Sequence, residues 1–225
     1  MDDRNAAPET RIDIVSDAIC PWCYIGKRQL ERSLRMLEAH RLRFTVHWNP
    51  FQLNPDMPKD GADRAAYRAG KFGSAERAAA LDAQVAQAAR SVGLAFRPDL
   101  MARTPNTLDA HRLIWLAGQR DVQDQVVEAV FAAYFTHGRD IGRAEVLADC
   151  GAEAGLDRGE AMEFLASDFA VAETRAADRA AREAGVSGVP SFFLNGYGLL
   201  SGAVPAEQMA EALRRGHAIL HPRTA

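Results

Sequence analysis

An apolar strand, Ile12 to Val15, hands over to a helix bearing Ile25, Leu30, Leu34 and Leu37 on one stripe, and Cys20-Pro21-Trp22-Cys23 stands at the junction. This arrangement restricts the fold and the chemistry together. The first thiol falls where the free backbone N–H groups and the dipole of the helix favour negative charge. The second falls one turn on, within disulfide reach. Pro21 fits the first turn because that position needs no N–H and the ring already fixes a helical φ. Two such thiols make a redox switch, with Cys20 as nucleophile and Cys23 as resolving thiol.

Two textures follow along the chain. Residues 11 to 53 read strand, helix, strand: Arg11–Ser16, a helix from Cys20 to about His40, and a strand alternating Phe44, Val46 and Trp48. From Gly61 to about Gly185 the chain is alanine-rich and helical, with no strand signal. Ser74 caps a helix ending near Gly93; Asn106 or Thr107 opens another ending near Gly118; Asp121 begins a third, closed near Gly138. Further helices cover about Arg143–Ala154 and about Arg158–Glu183, the latter with room for a break. The first texture then returns, with a strand over Val189–Leu194, a turn at Asn195-Gly196, a second strand at Leu199–Ser201 and a helix from about Pro205 to Leu220. That order predicts an α/β thioredoxin fold: residues 11–60 and 186–221 form a discontinuous thioredoxin-like domain, and 61–185 form an all-helical domain inserted between its βαβ and ββα units.

Of the 225 residues, 48% are hydrophobic and 25% charged, with a net charge of −3, so no basic footprint for nucleic acid exists. Met1 to Thr10 is acidic and polar where a secretory leader would be apolar, and no run approaches the length of a membrane span. The expectation is a cytoplasmic chain. Three cysteines with one close pair make no disulfide framework, and a CxxC in a reducing compartment is catalytic or metal-binding. A zinc site wants four ligands, and neither a second CxxC nor a paired histidine spacing completes one. No metal is expected, and no bound cofactor: the redox group is the Cys20–Cys23 pair itself. Cys150 lies on a stripe with Val146, Leu147 and Ala154 and reads as core filler, a regulatory thiol being the rival reading.

The motif Cys20-Pro21-Trp22-Cys23-Tyr24-Ile25-Gly26, the run Trp48-Asn49-Pro50-Phe51-Gln52-Leu53-Asn54-Pro55, Thr104-Pro105-Asn106-Thr107 with Ala110-His111-Arg112, and Gly185-Val186-Ser187-Gly188-Val189-Pro190 together resemble the DsbA-like thiol–disulfide oxidoreductases, in particular their cytoplasmic FrnE-like branch. More distantly the chain is similar to 2-hydroxychromene-2-carboxylate isomerase and the kappa-class glutathione transferases. The resemblance implies that Pro190 follows a cis peptide bond and faces the redox pair. It also implies that a substrate segment lies extended along Val189, near Pro21 and Trp22, while its cysteine meets Cys20. The implied partners are proteins with thiols or disulfides and a thiol reductant or oxidant for recycling, with glutathione as a candidate co-substrate and Asn54 as its candidate contact. Monomer and homodimer both stay open.

Three rival readings remain. A glutathione-dependent isomerase or transferase needs to stabilise only a bound thiolate, whereas a vicinal pair is useful when electrons move. A redox-linked chaperone would use the helical domain to grip unfolded clients. Locally, Trp22 and Tyr24 either rim the site or pack the strand–helix corner. His111 reads as a capping or packing residue near Asn106, and Phe131, Tyr134 and Phe135 as the core of the inserted domain.

Overall fold

Strand β1 (Thr10–Ser16) is flanked on both edges, which explains why its apolar side chains Ile12 and Ile14 are among the most buried in the chain. Helix α1 (Pro21–Glu38) is the crossover to β2 (Phe44–Pro50), which runs parallel to β1 from Thr10↔Phe44 to Ser16↔Pro50. The computed structural model describes residues 10–222, so the reading of Met1 to Thr10 as no leader falls almost wholly outside the described residues.

The chain then leaves the sheet. A two-residue bridge pairs β3 (Ala62–Asp63) with β4 (Arg103–Thr104), and between them stand α2 (Arg64–Phe72) and α3 (Ala75–Ser91). This small ladder corrects the expectation of an insertion without strands; two residues are too few for any periodicity to register. Helix α2 begins where the Asp63 side chain accepts from Ala66 N–H, and Ser74 caps α3 as expected by accepting from Arg77 N–H. Helix α4 (Leu108–Gly118) follows, then α5 (Gln123–Phe131), which widens into a π-helical turn over Ala132–Thr136. Asp121 does not begin α5: its backbone is left-handed, φ 58°, in the turn after α4.

The segment expected at 158–183 divides into α7 (Arg158–Ala166) and α8 (Val171–Glu183), after α6 (Ala144–Glu153). Arg112, a buried guanidinium on α4, fills the break. It donates to the carbonyls of Phe164 (2.9 Å), Ser167 (2.6 Å) and Phe169 (2.8 Å), taking the acceptors that α7 exposes at its end.

The chain returns as β5 (Ser191–Leu194), antiparallel to β1, and β6 (Tyr197–Ser201), giving the sheet order β2-β1-β5-β6. Asn195 and Gly196, both at positive φ, make the tight hairpin turn. Helix α9 (Ala206–Leu220) packs beside α1. One continuous buried cluster runs from Ile12 and Ile14 of the sheet through Tyr24 and Leu30 of α1 to Phe131, Leu147 and Leu165 of the helical region. The inserted helices therefore share their core with the sheet that carries them.

Candidate active site

Cys20 occupies the cap position of α1 in extended conformation, φ −90° and ψ 110°, and its carbonyl accepts from Cys23 N–H at 3.0 Å. Both thiols are free, and they differ in access. Cys20 is 4% exposed at the edge of a cleft and its thiol donates to the Val189 carbonyl over 3.5 Å; Cys23 is 0% exposed behind it. Burial pushes the Cys23 thiol well above its ordinary pKa and the neighbouring Cys20 sulfur adds to the shift, while the Ser16 side chain and the Asp17 backbone work against it. The Val189–Pro190 peptide bond is cis. Gly26, one turn beyond Cys23, lets this loop close on α1: a Cβ there would stand 3.0 Å from Pro190 Cγ and 3.4 Å from Phe192.

The cleft in front of Cys20 encloses about 360 Å³. Trp22, 39% exposed, and Val189 form its near rim, whereas Tyr24 turns inward and stacks on Phe131 with ring centres 5.1 Å apart. Trp22, between the cysteines, and Tyr24, just after them, thus separate into one rim residue and one core residue. Phe131, Tyr134 and Phe135 pack on one another in the core of the insertion as expected, and Phe131 and Phe135 also stack on Tyr24, which extends that core to α1.

Helix α2 supplies the far wall, a set of residues that sequence reasoning passed over. Arg64 and Arg68 converge on Asp82 of α3 at 3.0 and 2.8 Å, and Lys71 reaches Asn54 at 3.3 Å and Tyr67 at 3.0 Å. Asn54 also accepts from the Tyr67 hydroxyl, so it lies in the same cleft as Cys20 and is held by the basic wall. Three cations face one carboxylate. Burial pulls the Arg68 guanidinium below its ordinary pKa, and its Nε has no partner among the described residues.

Behind the thiols, Asp17 is wholly buried. Its Oδ2 accepts from Leu53 N–H at 2.7 Å and its Oδ1 lies 3.3 Å from His111 Nε2. His111 is buried, as a packing residue would be, but its side-chain partner is 94 positions away, in the loop that leads into Cys20, and not near Asn106. An aspartate just past an apolar strand was the available signal for this pair. On the outer flank, Lys27 is held by Glu31 (2.5 Å), Asp124 (3.0 Å) and Glu128 (3.3 Å), clasping α1 to α5. Cys150 is fully buried, and burial pushes its thiol up to about 12, which leaves it inert as core filler.

A family model described as DSBA-like thioredoxin domain matches residues 11–214, both halves of the sheet and everything between them. The chain belongs to this family. Among solved structures, this DsbA-like chain is similar to a probable DsbA oxidoreductase of Streptomyces coelicolor, at 34% identity and TM-score 0.86, covering 96% of this chain and 93% of that one. At the level of the fold it is similar to 2-hydroxychromene-2-carboxylate isomerase, at 18% identity and TM-score 0.69, with 93% and 97% covered. It is also similar in fold to the cytosolic disulfide reductase DsbM of Pseudomonas aeruginosa with glutathione, at 18% identity and TM-score 0.61, with 93% and 96% covered. The DsbA-like fold expected from the sequence is the fold of this chain.

Proposed function

We propose that this DsbA-like protein exchanges disulfides with protein or small-thiol substrates in the cytoplasm, with Cys20 attacking and Cys23 resolving. The observation that carries this reading is the asymmetry of the pair. Cys20 borders an open cleft at a helix start, and Cys23 is sealed behind it with its thiol held in the protonated form. Attack by Cys20 on a substrate disulfide forms a mixed disulfide and expels one substrate thiolate. Cys23, deprotonated, then attacks the Cys20 sulfur, releasing the second substrate thiolate and leaving Cys20–Cys23 oxidised. The reverse sequence oxidises a substrate dithiol. When Cys20 enters the mixed disulfide, the Val189 carbonyl loses the thiol that donates to it and is free to accept from a substrate backbone lying along Val189 and Pro190. Pro21 and Trp22 present an uncharged surface on the other side.

Glutathione fits the same cleft as the recycling thiol. Its carboxylates match the wall of Arg64, Arg68 and Lys71, and Asn54 offers a polar contact between that wall and Cys20. The same wall would serve a glutathione-dependent isomerase, a reading that does not require the pair. Dithiol-dependent insulin reduction and refolding of a scrambled-disulfide protein, with glutathione as a parallel reductant, test the assignment. Loss of turnover in both Cys20→Ser and Cys23→Ser supports exchange. Activity retained in both variants, or only glutathione conjugation or isomerisation of a small electrophile, overturns it in favour of the isomerase-like reading.

A further inference from the structure

A second cavity, of about 260 Å³, is surrounded by β2, α4, α5 and α8. Ser16 and His111 border it, with Ala18, His47, Gln123 and Thr174 among the other lining residues. Thr174 is 2% exposed, and its hydroxyl has no hydrogen-bond partner among the described residues. At roughly 30 Å³ each, waters have room in a chamber of this size, and one beside Thr174 would give its hydroxyl a partner. Ser16 has a second neighbour on its other side, the Cys23 thiol. Ser16 thus stands between the resolving sulfur and a cavity that His111 also borders.

We propose that the proton of Cys23 leaves and returns through the Ser16 hydroxyl and water in this cavity to the imidazole of His111, which Asp17 orients. The proposal rests on the exchange reaction above and adds its missing proton step. Cys23 S–H gives its proton through Ser16 and water to His111; the Cys23 sulfur attacks Cys20; the Cys20–substrate bond breaks; and the substrate sulfur departs as thiolate with the electron pair. His111 then returns the proton to solvent through the same chamber. Asp17 is placed to hold the ring, because its second oxygen is fixed by Leu53 N–H. In this route Ser16 takes the proton on from the sulfur, and His111 and Asp17 act through it.

The charged and titratable groups around the ring are few. The loop before α1 presents Asp17, β2 presents His47 and α8 presents Glu173, while α5 offers the neutral Gln123. Asp178, further along α8, is engaged by Arg182 and by Gln52 N–H. An inserted helix, α4, would in this way contribute to the chemistry of a pair carried by the thioredoxin frame.

The test is a two-step reaction of the reduced protein with an aromatic disulfide, in which the first thiolate released reports attack by Cys20 and the second reports resolution by Cys23. His111→Gln should leave the first step unchanged and slow the second about ten-fold near neutral pH. One ionisation should vanish from the pH profile of that second step, and added imidazole should restore rate. Thr174→Val, which keeps the shape of its residue, and Ser16→Ala should slow the second step in the same direction, so the proposal stays testable even where His111→Gln impairs folding. If the second step keeps its rate and pH profile in all variants that fold while the native protein turns over, the relay is wrong and the exchange reaction stands. If the native protein releases no second thiolate, both fall together.

Discussion

The wall in front of Cys20 and the floor behind Cys23 are built from different stretches of one helical insertion, and they are opposites. The wall, α2 with Asn54 and Asp82, carries three cations against one carboxylate and leaves a guanidinium nitrogen without a partner among the described residues. The floor, α4, α5 and α8 against β2, has no lysine or arginine among its described lining residues, and behind the thiols a single buried carboxylate is paired with a histidine. One side is suited to drawing an anionic substrate to Cys20, and the other offers no such charge to draw one to the resolving thiol. The lesson is that a redox pair of identical side chains acquires two roles from what surrounds each sulfur.

Removing either sulfur should break this comparison most severely. Cys20→Ser should lower exchange by about 10³-fold or more, the scale of losing a nucleophile. Cys23→Ala should instead accumulate a stable mixed disulfide with substrate, visible as an added mass in intact-protein mass spectrometry. Equal accumulation in both variants would show that the sulfurs are interchangeable and the asymmetry of their surroundings irrelevant. A smaller effect is expected at Gly26, which sets the distance from α1 to the Val189-Pro190 loop. With Pro190 Cγ only 3.0 Å from the position of an added Cβ, Gly26→Ala should cost about 1–3 kcal/mol in chemical denaturation, as overpacking does. A variant as stable as the native chain would mean that the loop moves freely.

The basic wall should show itself in salt dependence. Arg64→Gln with Arg68→Gln should reduce kcat/KM for an anionic thiol such as glutathione by about ten-fold at low ionic strength, with a smaller loss at high salt where exposed charges are screened. A neutral thiol of similar size should be affected little. Equal losses for both thiols would point to damage in the cleft rather than to charge recognition.

How far the sequence foretold these two sides depends on the range of the contacts involved. The Cys20-Pro21-Trp22-Cys23 helix start, the β1–α1–β2 crossover and the Asn195-Gly196 hairpin are written in local periodicity and turn chemistry, and all three are present. Ser74 as a cap is equally local. Asp17 with His111, Arg112 with the end of α7, and the α2 wall facing Cys20 depend on residues brought together across tens of positions, which no window of sequence displays. His111 looked like a capping residue because its local neighbours, Asn106 and Thr107, are capping types. The turn at Asp121 was missed for the converse reason: an aspartate that favours a helix start also tolerates the left-handed backbone that ends the preceding one.

The smallest expected effect concerns what keeps wall and floor on the same frame, the clasp between α1 and α5. Burial would raise the Glu128 carboxyl, but hydrogen bonds from Arg28 and Tyr24 and the charge of Lys27 outweigh it, so its pKa in the folded chain lies below the ordinary value. A carboxylate depressed on folding stabilises the native state fully above its unfolded pKa of about 4.3, and that contribution fades as pH falls through the folded value. The melting temperature of the native chain should therefore drop on acidification through and below about pH 4.3. Glu128→Gln should be less stable than the native chain at neutral pH, with the gap narrowing as pH falls through that window. Lys27 carries the mirror image. Burial lowers it, but Asp124 and Glu31 more than offset this, so its stabilisation is present below an unfolded pKa of about 10.4 and is lost only as pH climbs through the raised folded value. Lys27→Met should therefore narrow its gap to the native chain at the alkaline end and leave the acid limb in place. If the two variants instead altered the same limb, α1 and α5 would be joined by their apolar seam at Tyr24 and Phe131 alone, and the ion pairs would be bystanders.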